Sequence, residues 1–377
     1  MRKGTLLIHN GHDYDAATGA LGVPIFQTST FARLSMDKHQ EYDYSRSGNP
    51  TRKALEEAIA ALEGGAAGYA FSSGIAAVAS VLGIFSSGDH IITAEDIYGG
   101  SYRLFNDFYK RWGLEHSAVD AADIDAIAAA LKPNTKALFL ETPSNPLLKI
   151  TNLKVCADFA RTHGLITIVD NTFMTPYLQR PIELGCDIVV HSATKFLGGH
   201  SDVLFGLAVT RTAELGKRVY RAQNSFGAVP GPWDIFLVMR GIKTLKVRLE
   251  ESQKTAGKLA AWLMEHPHVR EVYYPGLDAH AGKAVNDTQS DGAGAVLSFT
   301  TDTVERARHF LDSVTLAAPA VSLGGVETIA SYPVQMSHAA IPPAERARLG
   351  ITDTLIRISA GLEDPGDLIE DFDNALR

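Results

Sequence analysis

The chain has 377 residues, 45% of them hydrophobic and 21% charged, which is ordinary globular composition and enough for one large or two medium domains. Its net charge of −8 arises from interspersed acids and bases with no basic block, so nucleic acid is not an expected partner. Cys156 and Cys186 are the only cysteines; they form no CxxC spacing and suggest no disulfide framework, so a reducing cytoplasm fits and no metal is expected.

Met1 to Gly4 is not followed by the apolar core of a signal peptide. The most apolar stretch, around Ile75 to Phe85, is too short to span a bilayer. The expectation is a cytoplasmic protein with no membrane partner. Residues 1 to about 43 carry no clear periodicity, although Val23 to Thr30 suggests extended backbone. Such a segment packs either on its own domain or on a neighbouring subunit. Composition leaves both open.

Regular structure begins after Tyr44-Ser45-Arg46-Ser47-Gly48-Asn49-Pro50-Thr51. Asn49 suits the N-cap and Pro50 the first position of a helix that runs to Gly64-Gly65. Capping does not account for Tyr44 and Arg46, two side chains well suited to phosphate. Phe71-Ser72-Ser73-Gly74 then feeds a second helix, Ile75 to about Phe85. A small-residue turn at a helix N-terminus is an anion site, because free N–H groups and the helix dipole point outward. The same turn also merely caps many helices, and no GxGxxG fingerprint accompanies it.

Short apolar runs follow: His90 to Thr93 before Asp96-Ile97-Tyr98-Gly99-Gly100, Ala137 to Leu140 before Glu141-Thr142-Pro143-Ser144-Asn145-Pro146, Ile166 to Val169 before Asp170, and Asp187 to Val190 before His191-Ser192-Ala193-Thr194-Lys195. Each reads as a buried strand, and a helix from Leu153 to about His163 lies between two of them. The alternation predicts a mostly parallel α/β sheet over residues 66 to about 210. Ligands of such sheets sit beyond the carboxyl ends of the strands, where Asp170 and Lys195 fall. A lone lysine after a strand is usually only a solvated charge, so its context decides.

Beyond Gly241 a helix from about Leu245 to Glu265 precedes strands at Arg270 to Tyr274, Ala295 to Thr300 and Leu355 to Ser359, with a last helix at Pro365 to Leu376. This predicts a smaller α+β domain. A Gly-rich loop lies at Ser322 to Thr328. Arg357 stands inside an apolar strand and needs a partner: a substrate carboxylate, Glu327 or another acid.

These pieces assemble into a pyridoxal-phosphate site. A reactive lysine beside hydroxyls can carry the cofactor covalently, and an aspartate at the neighbouring strand end can pair with its ring nitrogen. Ser192, Thr194, Tyr44, Arg46 and the Gly74 helix start can hold a dianionic phosphate, and Tyr98 can stack on the ring.

The sequence resembles the Cys/Met-metabolism enzymes that use pyridoxal 5'-phosphate, along nearly the whole chain. The resemblance rests on YSRSGNPT from Tyr44, DIYGG from Asp96, ETPSNP from Glu141, VDNTF from Val169, HSATKFLGGHSD from His191, SLGGVET from Ser322 and LIRISAGLED from Leu355. It implies an aspartate-aminotransferase-like fold of type I: an arm at 1–47 contacting a neighbouring subunit, a large cofactor domain at 48–240 and a small domain at 241–377. It implies that Lys195 carries the cofactor, Asp170 pairs with the ring nitrogen, and Ser192, Thr194 and the backbone of Gly74 and Ile75 hold the phosphate. Tyr44 and Arg46 would reach the site of the neighbouring subunit, Tyr98 would stack on the ring, and Arg357 would clamp the substrate α-carboxylate near Asn145. A homotetramer, built as a dimer of dimers with shared sites, follows from the same resemblance.

The family's members differ in which bond breaks after the α proton leaves. Gly100 stands where methionine γ-lyases usually carry Cys, and Leu323 where enteric β-lyases carry Trp. NTFMTPYLQRP from Asn171 and NSFGAVPGPWD from Asn224 look most like cystathionine γ-lyases, which release cysteine, 2-oxobutanoate and ammonia. Glu327, with Thr328 beside it, would hold the distal amino group of cystathionine or neutralise a local charge. Lys195 would shuttle protons, and Tyr98 or the neighbour's Tyr44 would protonate the departing sulfur. Cystathionine β-lyase, and γ-synthase or sulfhydrylase acting on homoserine esters, share much of the pattern and remain alternatives. Homocysteine and cysteine are further candidate substrates. A cofactor-free α/β binding protein is disfavoured by the intact Lys195, Asp170 and Arg357.

Overall fold

The structure is a computed structural model that describes residues 1–9 and 14–377. Residues 10–13 of the expected N-terminal arm lie outside it. Seven strands build the larger sheet: β1 Ala67–Phe71, β2 His90–Ala94, β3 Glu115–Val119, β4 Thr135–Glu141, β5 Ile166–Asp170, β6 Ile188–Ser192 and β7 Gly206–Thr210. Their order is β1-β7-β6-β5-β4-β2-β3. Strands β6, β5, β4, β2 and β3 pair in parallel, whereas β7 runs against both β1 and β6. The sheet is therefore mostly parallel, as the strand–helix alternation predicts. Ile168, Val169, Ile188, Val189, Leu138 and Phe139 are essentially inaccessible, which is why these strands read as unbroken apolar runs rather than alternating ones.

A second, smaller sheet comprises β8 Val269–Tyr273, β9 Val296–Thr301, β10 Ala318–Pro319, β11 Ile329–Ser331 and β12 Leu355–Ser359, ordered β10-β11-β12-β9-β8. Only the β10–β11 pair is parallel. The helices Leu245–Glu265, Val304–Ser313 and Pro365–Leu376 cover it around a core that includes Leu259, Leu263, Phe310, Ile356 and Phe372. Phe310 meets Phe299 and Phe372 edge-on, with ring centroids 5.5 and 5.1 Å apart.

The helix Pro50–Glu63 starts as expected: Asn49 Oδ1 accepts from the N–H groups of Thr51 and Arg52, and Pro50 occupies its first position. The second helix spans Gly74–Leu82 and stops three residues before the expected end, because Gly83 closes it. Part of the opening segment packs on its own chain. Thr51 Oγ1 donates to the Pro24 carbonyl and accepts from Phe26 N–H, and Asn49 Nδ2 donates to the Phe26 carbonyl, so residues 24–26 are laced to their own chain. Leu34 and Met36 are largely exposed. Among the described residues no helix is long and apolar enough to cross a membrane.

Candidate active site

Five parallel-running chain segments and the reversed β7 bring their ends to one edge of the large sheet. Ser73 and Gly74 follow β1, Tyr98 follows β2, Glu141 ends β4, Asp170 ends β5, Ser192 ends β6, and Gly206 begins β7 opposite Ser192. The sequence thus converts strand ends into a cluster of polar groups by chain direction alone.

Lys195 lies on the loop joining β6 to β7, which its apolar neighbours hold in place. Ala193, Phe196 and Leu197 are buried in one core cluster with Leu323. Leu323 in turn fixes the adjacent Ser322, whose Oγ accepts from Lys195 Nζ at 2.6 Å. Burial, with help from the nearby Arg357 charge, brings the Lys195 pKa down to about 8. An amine with that basicity is substantially neutral near pH 8 and can act as nucleophile or base.

Asp170 Oδ1 accepts from Thr172 N–H at 3.1 Å and from Thr172 Oγ1 at 2.5 Å, and Thr172 Oγ1 accepts from Ser192 N–H at 2.8 Å. Burial raises the Asp170 pKa even so. Glu141, directly opposite Asp170 in the β4–β5 register, is buried and held well above the ordinary carboxylate range by burial and by the Asp170 charge. Glu141 accepts from Tyr98 N–H at 2.8 Å and from the backbone of Asn145. Two buried carboxyl groups side by side at strand ends disfavour a second negative charge, and the Arg357 charge acts on Glu141.

Arg357 is buried in β12 and its three partners are neutral: Nη1 donates to Asn145 Oδ1 at 2.9 Å, and Nη2 to the Ser322 carbonyl at 2.7 Å and Ser331 Oγ at 3.1 Å. Its Nε has no partner among the described residues. A buried guanidinium with a spare donor and no bonded acid is built for an incoming carboxylate. Ser322 therefore serves both halves, its hydroxyl on Lys195 and its carbonyl on Arg357. It does so with a φ of +90°, a strained value for a residue with a side chain.

Gly74 stands so close to β6 that a Cβ there would fall 2.7 Å from Ser192 Cβ and 2.9 Å from Ser192 Oγ. Only glycine lets the start of the helix Gly74–Leu82 meet Ser192, leaving room for an anion at the N–H groups of Gly74 and Ile75. Thr194 Oγ1 is committed to Phe205, donating to its carbonyl and accepting from its N–H. Tyr98 is 43% and Tyr44 45% exposed. Arg46 stacks its guanidinium 5.6 Å from the Tyr44 ring and bonds Asn224. Glu327 is exposed. Thr328 is buried, donating from its hydroxyl to Glu363 and accepting from Gly361 N–H, so it straps the loop that presents Glu327.

The geometry thus brings Lys195, Asp170, Ser192, Gly74, Ile75, Arg357 and Asn145 into one cluster and leaves Tyr44, Arg46 and Glu327 outward. A family model described as "Cys/Met metabolism PLP-dependent enzyme" matches residues 4–377. The chain belongs to that family. Pyridoxal phosphate is its cofactor, and the residues suit it: a buried lysine of lowered basicity, a buried carboxyl at the end of β5, and a glycine notch at a helix start. This family member is 53% identical to the cystathionine beta-lyase MetC of Bacillus subtilis over 99% of its own length and 96% of the relative's. It is 50% identical to a cystathionine gamma-lyase of the same organism, over 100% of this chain and 99% of the other. The crystal structure of cystathionine gamma-lyase from Lactobacillus plantarum, complexed with L-serine, superposes with a TM-score of 0.98 at 44% identity, covering 100% of this chain and 98% of that one. The fold is accordingly the aspartate-aminotransferase-like one.

Sequence reading missed Ser322 as a site residue, although it opens the quoted SLGGVET motif. It also gave no role to Glu141, which opens ETPSNP.

Proposed function

We propose that this enzyme is a carbon–sulfur lyase acting on cystathionine, and that its principal reaction is α,γ-elimination: cystathionine and water give cysteine, 2-oxobutanoate and ammonia. The observation that carries the lyase reading is the Lys195–Ser322–Arg357 contact. It sets a weakly basic amine beside a carboxylate clamp, so a bound amino acid presents its Cα proton to Lys195. When bound, pyridoxal phosphate supplies the electron sink that lets that proton leave. Lys195 takes it and, for γ-elimination, removes a second proton from Cβ. Ser322 orients the amine. Tyr98, or Tyr44 of a second copy, protonates the departing sulfur. Glu327, exposed at the far end of the loop that begins at Ser322, faces the distal amino group.

The γ preference is supported by the segments from Asn171 and Asn224 and by the likeness to gamma-lyases of known sequence and structure. A Cβ on Gly100 would fall 2.4 Å from Tyr98 Cε1, so a cysteine there would displace the ring that the lyase reading uses. A beta-lyase is the second reading, favoured by the identity to MetC. Product analysis with cystathionine separates them: 2-oxobutanoate and cysteine are expected. Pyruvate and homocysteine alone would sink the γ assignment, and no cleavage at all would sink both.

The same proposal includes the arm at 1–47, the cofactor domain at 48–240 and the small domain at 241–377, which the two separate sheets support. It includes a homotetramer with shared sites, supported by the exposed Tyr44 ring with Arg46 stacked beside it. Sedimentation at micromolar concentration should show no active monomer; a fully active monomer would remove the shared-site model. The buried free thiols of Cys156 and Cys186 suit a cytoplasmic location.

A further inference from the structure

His338 lies in the segment between β11 and the helix Pro343–Leu349, and its side chain has no exposed surface. Nε2 is 3.0 Å from the Asn145 carbonyl oxygen, and Nδ1 is 2.8 Å from Ser337 Oγ. A carbonyl can only accept, so Nε2 carries the proton and Nδ1 accepts from the Ser337 hydroxyl. The neutral ring thereby satisfies both nitrogens. Burial and the Arg357 charge lower its pKa to about 4, which keeps it neutral in the working range. None of the chemistry proposed above uses this imidazole. Its hydrogen bond is what a leucine of similar bulk would not supply.

The bond ends on a residue that matters. Asn145 Oδ1 takes Arg357 Nη1, while the Asn145 backbone is held on one side by Glu141 and on the other by His338. The segment carrying His338 is wedged against the Tyr98 loop: a Cβ on Gly99 would fall 2.1 Å from the Ser337 carbonyl oxygen. Nη2 of Arg357 is already fixed by Ser322 and Ser331, so Asn145 sets the remaining rotation of the guanidinium and hence where the spare Nε points.

We propose that His338 is a positioning residue for α-carboxylate recognition, acting through the Asn145 carbonyl to fix the plane of the Arg357 guanidinium. This rests on the reading of Arg357 as the carboxylate clamp, so the experiment separates the two. Calorimetric titration of the holoenzyme with glycine and with glycinamide reports carboxylate preference, and glycine has no β carbon to eliminate. Wild type should prefer glycine strongly, and Arg357→Ala should abolish the preference. His338→Leu should lower the ratio of the two affinities by about threefold to tenfold, the scale of one lost hydrogen bond between neutral groups. His338→Gln, whose amide can still donate to Asn145, should stay near wild type. A merely structural histidine would weaken both ligands alike and leave the ratio intact. An unchanged ratio in Arg357→Ala removes the clamp reading and this proposal with it. A collapsed ratio in Arg357→Ala with an intact one in His338→Leu overturns the His338 role alone. Should His338→Leu fail to fold, His338→Asn replaces it, because its shorter amide cannot reach the carbonyl; an intact ratio there is equally fatal. Equal losses in the Gln and Leu variants would also defeat the hydrogen-bond assignment.

Discussion

Replacing Lys195 with alanine is expected to lower cystathionine cleavage by at least about a thousandfold, the combined scale of a lost covalent anchor and a lost proton shuttle. The amine is the group that the structure places on the Ser322 hydroxyl, and burial has already lowered its pKa to about 8. An exposed lysine would remain almost wholly protonated at neutral pH and take up protons poorly. The substitution should leave the fold intact, since the flanking Ala193, Phe196 and Leu197 do the packing. Two measurements check it: steady-state product release, and retention of the cofactor's absorbance after borohydride reduction, denaturation and desalting, which only the reduced covalent link to the lysine survives. A variant within tenfold of wild type would refute the assignment.

Asp170→Asn is expected to cost roughly a hundredfold to several thousandfold in rate, as removing one partner of a buried charge pair costs about 3–5 kcal/mol. Asparagine keeps the size of the side chain and an acceptor for Thr172, so the loss isolates the charge proposed to pair with the cofactor's ring nitrogen. The cofactor-free protein should respond in the opposite sense. Burial raises the Asp170 pKa above its ordinary 3.8, so the folded chain still binds a proton where the unfolded chain has released it. Stability therefore falls as pH rises from about that value through the raised pKa. Asparagine does not titrate. Cofactor-free Asp170→Asn should melt above the cofactor-free wild type at neutral pH, and the two should converge as pH falls below 4. Melting curves across that range decide it, and a wild type that is the more stable at pH 7 would contradict the account.

Asp170 and Lys195 were legible because the chemistry changes abruptly at the end of an apolar run, and Arg357 because a charge inside a strand demands a partner. Asn49-Pro50 announced a helix by capping chemistry that acts over three residues. Other features left no local trace. Ser322 meets Lys195 across 127 positions, and nothing in either segment names the other. Glu141 gains its meaning only from the register that sets it opposite Asp170. His338 binds a backbone carbonyl, which no side-chain pattern records. The reversal of β7 was equally hidden, since Gly206–Thr210 is apolar like its parallel neighbours and composition carries no sign of direction. The strands β10 and β11, two and three residues long, are shorter than any window over which periodicity can be read.

That reversed strand divides labour within the enzyme. Because β7 returns beside β6, the loop bearing Lys195 closes on itself: Ser192 faces Gly206, and Thr194 exchanges hydrogen bonds with Phe205. The backbone that bears the lysine is thus a tethered hairpin, while Ser322 holds its amine from outside. The groups proposed to judge the substrate, Ser322, Glu327, His338 and Arg357, all arrive from distant parts of the chain. Variation in the C-terminal third can then re-aim recognition while the reacting amine stays put. A scaffold wired this way can diversify its substrates without renegotiating its chemistry, and libraries confined to residues 326–340, which spare Ser322 and Leu323, are the natural place to look for altered bond choice.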